Sequence, residues 1–156
     1  MKTVVKKPFI PTAGRTCGDC TACCRAIAVE ALGKPRLTHC KHQDKGCAIY
    51  ESRPQQCRAF ACLWLMGIGA DDARPDKTGV VLLSPPAGKG ESLATDTATG
   101  KVYNLAGAQE NVLRAADSEL GRRAIQELLD HKWAVLVLGE VAREVRFPGG
   151  NVEVVE

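Results

Sequence analysis

Apolar positions along the chain follow two different patterns, and the change comes near residue 67. From residue 78 onward they form short runs and alternations. Val80 to Ser84 is a brief apolar run bounded by Gly79 and a proline pair, the pattern of a short buried strand. Lys101 to Leu105 reads as a second strand, with PPAGKGESLATDTATG as the loop between them. Between Asp117 and Lys132, Leu120, Ala124, Leu128 and His131 recur near the helical period, and Asp117 or Ser118 is placed to cap the helix N-terminus. Ala134 to Leu138 reads as a third strand. The closing EVAREVRFPGGNVEVVE alternates into one or two exposed strands about a turn at Pro148, Gly149 and Gly150.

Before residue 67 the pattern is punctuated by cysteine rather than by a period, and GIGADDARPDKTG then reads as a turn-rich connection. The expected fold class is α+β: a cysteine-rich, metal-stapled N-terminal half of helices and loops, packed with a small β-sheet and one main helix. A chain of 156 residues fits a single domain, 1–156, with a cysteine-rich metal-binding region at 15–66 and a sheet-plus-helix region at 78–156. Aromatic residues are only 4% of the chain, so the core is expected to be aliphatic, with Trp64 and Trp133 its largest contributors.

Eight cysteines, at 17, 20, 23, 24, 40, 47, 57 and 62, all fall in the first region. The opening MKTVVKKPFIPTAG is basic but has no apolar run of signal-peptide length, and no later stretch approaches a membrane span. The chain is therefore expected in the cytoplasm, where thiols stay reduced and a dense group of them is better explained by metal than by disulfides. Charge agrees. From Arg15 to Trp64 eight Lys and Arg face four acids, a formal +4, whereas eight thiolates around two divalent ions would carry a formal −4.

The run CGDCTACC opens with Cys17 and Cys20, a CxxC chelate loop in which Gly18 permits the tight turn. A helix starting at Asp19 or Thr21 would stack Cys20, Cys23 and Cys24 near its positive end. Neighbouring Cys23 and Cys24 would point about 100° apart on that helix, which suits two metal positions or a bridging thiolate. Cys40 and Cys47 lie on a loop with Lys45 and Gly46. Cys57 and Cys62 lie in RPQQCRAFACLW, where Pro54 suits a first helical turn and the spacing of five implies different ions or a broken helix. His39 and His42 flank Cys40 as possible nitrogen ligands, and Arg53 and Arg58 are placed to donate to thiolate sulfur.

These residues carry a resemblance. CGDCTACC, a spaced cysteine, GCAIYESRPQQCRAFAC and ARPDKTGV together resemble the YkgJ-like cysteine-cluster family over roughly residues 15 to 85. The resemblance implies a bacterial zinc- or iron-chelating domain with cysteine ligands, whose members are often labelled iron-sulfur proteins without a defined reaction. It also points to flagellin lysine methylases, longer enzymes with a related cysteine pattern.

The expected partner is thus a metal ion held by Cys17, Cys20, Cys23, Cys24, Cys40, Cys47, Cys57 and Cys62. The CxxCxxC run matches three ligands of an iron-sulfur motif, but no cysteine precedes proline, which tilts the reading from iron toward zinc. The function expected first is a metal-binding module rather than an enzyme. The alternatives are an iron-sulfur protein acting in redox or protein modification, and a metal storage or delivery protein. Nucleic acid and membrane are not expected partners: the cysteine spacing is not that of a zinc finger, and aromatics for base stacking are scarce.

Overall fold

The computed structural model describes residues 12–84 and 93–156. The expectations for MKTVVKKPFIP at the start and for PPAGKGES in the long loop lie outside the described residues. The fold is α+β, with short helices and one longer helix around a mixed six-stranded sheet. The helices are α1 (Ala22–Ala26), α2 (Gln55–Ala59), α3 (Pro75–Thr78) and α4 (Glu119–Asp130). The strands are β1 (Val80–Leu83), β2 (Leu93–Thr95), β3 (Val102–Glu110), β4 (Trp133–Leu138), β5 (Ala142–Arg146) and β6 (Val152–Val154). Their order is β1-β3-β4-β5-β6, with β2 also on β3. The register puts β1 against residues 107–110 and β2 against 102–104 of that strand. The β3–β4 pair is parallel and the other pairs are antiparallel.

Strand β1 explains how the two regions meet. Successive side chains on a strand point to opposite faces. Val80 and Leu82 join the main core, with Ala106 and Ala108 of β3, Val135 and Val137 of β4, and Ala124, Ile125 and Leu128 of α4. Val81 and Leu83 face the other way and pack with Ala22 and Ala26 of α1, with Cys20, Ile27, Phe60 and Cys62 against them. All four β1 residues are buried, as expected of an apolar run covered on both sides. The Leu63 N–H donates to the Leu82 carbonyl at 2.8 Å, and Asn111 Nδ2 donates to the Ala22 carbonyl at 2.7 Å, tying the cysteine-rich segment to the sheet.

Several local expectations are corrected. Cys20 lies outside α1, which begins at Ala22 after Thr21, so a helix from Asp19 does not form. The strand expected at 101–105 runs on to Glu110, because Gly107, Ala108, Gln109 and Glu110 pair with β1. The loop before it contains β2, whose residues alternate only weakly and gain their order by pairing with β3. The turn-rich connection contains α3, started by Pro75 at its first turn. Leu120 is exposed, and α4 instead buries Gly121, Ala124, Ile125 and Leu128. Ser118 caps α4, its hydroxyl accepting from the Gly121 N–H at 3.0 Å. Trp64 is buried, but Trp133 is only partly so, and Phe147 is the largest fully buried side chain.

Two expected outcomes follow. A Cβ on Gly121 would come within 2.8 Å of the Ala115 carbonyl carbon, so Gly121→Ala should destabilise the fold by about 1–3 kcal/mol, read as a lower urea midpoint. Asp117 bonds Arg143 and Arg146, and the Arg143 bond above all holds its carboxyl below the usual range despite the opposing effect of burial. A depressed folded-state pKa stabilises above the unfolded value of about 3.9 and stops doing so as pH falls through the folded value. Wild-type stability should therefore fall more steeply than that of Asp117→Asn as urea titrations are taken below about pH 4. Parallel slopes would remove Asp117 from the acid response.

Candidate metal centre

The local fold brings five stretches of the cysteine-rich region to one place. Cys17 and Cys20 form a turn, with the Cys20 N–H donating to the Cys17 carbonyl at 2.8 Å. Gly18 holds φ +51 within it, and a Cβ there would stand 3.3 Å from Arg74 Nη1, so both conformation and space favour glycine. Cys23 and Cys24 follow on α1. Cys40 and Cys47 border a loop closed by the Gln43–Cys47 bridge. Cys57 lies on α2, which ends at Ala59 with Phe60 extended, so Cys62 is delivered by a broken helix, one of the two expected arrangements.

All eight cysteines line a single cavity of about 100 Å³, room for several water-sized species. All are free thiols, and each keeps part of its surface accessible. Among the described residues, no three or more His, Cys, Asp or Glu side chains stand grouped as a metal cage; the sulfurs line the wall instead of closing on a point.

The wall's charge is one-sided. It includes Lys34, Arg53 and Arg74 and, among the described residues, no carboxylate. Lys34 is buried, and its ammonium donates to the carbonyls of Ile27, Thr38 (2.9 Å), Pro35 (3.3 Å) and Arg25 (3.5 Å). Burial lowers its pKa, while the thiolates of Cys40, Cys24, Cys23 and Cys57 act in the opposite sense. Arg53 lies 3.7 Å from the Tyr50 ring centroid and donates to the Tyr50 carbonyl. Arg74 bonds both oxygens of Asp76 at 2.6 Å, Asp19 at 2.7 Å and the Cys17 carbonyl at 3.3 Å.

Burial raises the thiols of Cys17, Cys20 and Cys57, and pushes Cys62 up to about 11. The adjoining thiols of Cys23 and Cys24 act on each other in opposite senses: Cys23 is raised by its neighbour and by burial, whereas Cys24 is lowered to about 7, with Lys34 and Arg53 contributing. Backbone N–H groups also act on the sulfurs. Those of Ala22 and Asp76 reach Cys20, those of Leu65 and Trp64 reach Cys62, and that of His42 lies 3.5 Å from Cys40 Sγ. At Cys20, Cys40 and Cys62 a donor thus comes from the residue two positions on. N–H donors aimed at sulfur stabilise the thiolate form that a metal requires.

The donor set fits a thiophilic ion. Soft sulfur is the common donor, three cations offset its charge, and the enclosing wall is largely apolar. Bound there, zinc would supply positive charge and cross-links to Cys17, Cys20, Cys23, Cys24, Cys40, Cys47, Cys57 and Cys62.

The other candidates separate. His39 and His42 are not part of the wall. The His39 ring is engaged by Arg25 at 3.4 Å and Gln43 at 3.1 Å, while Gln43 also donates to Thr21. Arg53 is in the wall. Arg58 is not, and it donates to the Glu51 carbonyl at 2.9 Å. Lys34 and Arg74 were not singled out by sequence. A signal for Arg74 lay in ARPDKTG, whose proline starts the helix beside it; Lys34 carried none.

Comparison with protein-family models, with curated proteins and with solved structures finds no match to this chain.

Arg74→Gln, which removes the clamp between Asp76, Asp19 and the Cys17 turn, is expected to weaken zinc binding about 10- to 100-fold in competition with a colorimetric chelator. Arg58→Gln should leave it unchanged. Equal losses would show that the assignment of these two arginines is wrong.

Proposed function

We propose that this chain is a metal-binding cysteine-cluster protein that holds zinc through its eight cysteine thiolates. The observation that carries this reading is the meeting of all eight cysteines, spread over 46 positions, in one cavity walled by Lys34, Arg53 and Arg74. Free thiols gathered beside cations have a plain chemical use as ligands, and the resemblance to YkgJ-like cysteine-cluster proteins points the same way. Reduced thiols suit the cytoplasm as the site of action. No helix among the described residues is long and apolar enough to cross a membrane.

On this reading zinc is structural. The apolar cluster beneath the cysteines is small, its buried members being Ala22, Ala26, Val81 and Leu83. Thiolate–zinc bonds contribute on the order of 10 kcal/mol to folding in zinc-finger peptides, so metal would supply much of what this cluster lacks.

The test is purification without oxygen under reducing conditions, followed by elemental analysis and native mass spectrometry. A colourless protein carrying zinc is expected. A bare polypeptide would refute metal binding, and a brown protein with stoichiometric iron would replace zinc with an iron-sulfur cluster. Removing zinc with a strong chelator should lower the melting temperature and change the circular dichroism. An unchanged spectrum and melt would reject the structural role.

The partial exposure of every cysteine favours a second reading, storage or delivery of the metal. Its signature is zinc that passes to a competing chelator within seconds. Exchange over hours would leave the structural reading alone.

A further inference from the structure

Among the described residues Lys34 is the one buried lysine, 7% exposed, and it stands in the wall of the cysteine cavity. A tight reversal of the chain puts it there. The Val29 N–H donates to the Lys34 carbonyl at 2.9 Å and the Lys34 N–H to the Val29 carbonyl at 3.0 Å, across a single 3-10 turn, Glu30–Leu32, that ends at Gly33 with φ +59. From this position the ammonium donates back to the carbonyls of Arg25 and Ile27 at the end of α1, and forward to those of Pro35 and Thr38. The oxygens thus come from two stretches that carry cysteines. Arg25 and Ile27 follow directly on Cys23 and Cys24, and Thr38 stands two residues before Cys40.

An ammonium has three N–H donors and no acceptor, so a ring of carbonyl oxygens suits it, and a neutral apolar side chain of similar length would leave all four oxygens without a donor. Carbonyl oxygens gathered in this way hold a cation as its hydration shell would. The ring is therefore a cation site, filled by the chain's own ammonium. Its partners also leave the charge intact. Arg74, in the same wall, is paired with Asp19 and Asp76, whose carboxylates offset its charge, whereas carbonyls carry no net charge and offset none of that on Lys34.

Resting on the zinc-binding reading above, we infer that Lys34 is a positioning residue of the metal centre: the cation in the carbonyl ring joins the Cys23–Cys24 stretch to the Cys40 stretch and keeps uncompensated positive charge beside the sulfurs. Zinc affinity then depends on the cation and not on the bulk of the side chain. A small primary ammonium ion is the ligand that takes its place when the lysine is removed.

Two substitutions in the full chain separate charge from bulk. Lys34→Met keeps the side-chain length and loses the charge, and Lys34→Ala vacates the ring. Both are expected to bind zinc about 10- to 100-fold more weakly in competition with a colorimetric chelator. Propylammonium chloride should restore most of the loss in Lys34→Ala, while sodium chloride at the same ionic strength and neutral 1-propanol should not. Unaltered affinity in Lys34→Met, or rescue by propanol equal to that by propylammonium, overturns the inference. In the cobalt-loaded protein the sulfur-to-metal charge-transfer band should move to lower energy in Lys34→Met, since the thiolates lose a nearby positive charge, a change that a loosened fold alone does not produce. A weakened variant whose band stays in place also overturns it.

Nitrogen-15 NMR of the unaltered, zinc-loaded chain needs no variant to fold. The Lys34 ammonium is expected as a signal in slow exchange with water, scalar-coupled to the Ile27 and Thr38 carbonyl carbons. Rapid exchange without such coupling overturns the inference and leaves zinc binding standing. An unaltered chain that takes up no zinc overturns both.

Discussion

Strand β1 must bury both of its faces, and much of the structure depends on that demand. Val80 and Leu82 turn toward α4, Val81 and Leu83 toward α1, and none of the four is more than 7% exposed. Full burial of such side chains stabilises by roughly 1.5–3 kcal/mol each, so a sheet left open on the α1 side would forgo two of these contributions. The cysteine-rich segment provides the cover. Val81 also lines the cysteine cavity, so the side chain that joins this segment to the sheet belongs to the candidate site as well.

That cover is thin, and its thinness bears on the chemistry. Two alanines of α1, with Ile27 and Phe60 at the margin, bury little area compared with the α4 side, where three strands and a helix converge. Small apolar clusters seldom order a long irregular segment unaided, because backbone entropy costs about 1–2 kcal/mol per fixed residue. Hydrogen bonds take up part of this cost. Arg15 donates to the carbonyls of Trp64 and Gly69, and Lys34 to the carbonyls of Arg25 and Ile27 at the end of α1 and of Pro35 and Thr38. Bonds from sulfur to a metal are the further cross-links that eight thiols in one cavity make available.

The sequence made some of this legible and concealed the rest for definable reasons. β1, β4 and the Ser118 cap are local features, written in apolar runs and in the chemistry of one hydroxyl, and they stand where local reasoning puts them. β2 and the far half of β3 depend on pairing between distant residues, and α4 turns Leu120 outward because Gly121 must approach Ala115. The cysteines could be singled out because sulfur is rare and dense here. The cations could not be sorted in the same way. Arg53 and Arg58 look alike beside Cys57, yet Arg53 joins the cavity wall and Arg58 bonds Glu51 outside it. Arg74 reaches the Cys17 turn across 57 positions, a relation no local spacing encodes.

The segment around Lys34 shows how the fold can hold positive charge beside sulfur without letting it escape to solvent. Lys34 and Arg36 flank Pro35 and reach in different directions. Lys34 enters the cavity wall, while Arg36 crosses to the sheet and bonds Gln109 at 2.5 Å, the Gly139 carbonyl at 3.1 Å and the Glu140 carbonyl at 2.6 Å. Gln109 is itself buried and donates to the Leu138 and Gly139 carbonyls, so Arg36 is anchored in the end of the sheet. An ammonium on a freely moving loop would swing into water, where its charge is better solvated, and would do little for a thiolate. Fixed from one side by Arg36 and from the other by four carbonyls, Lys34 stays where Cys24, Cys40 and Cys57 lie within range of its charge. The sheet thereby contributes to the electrostatics of the cavity without contributing a ligand.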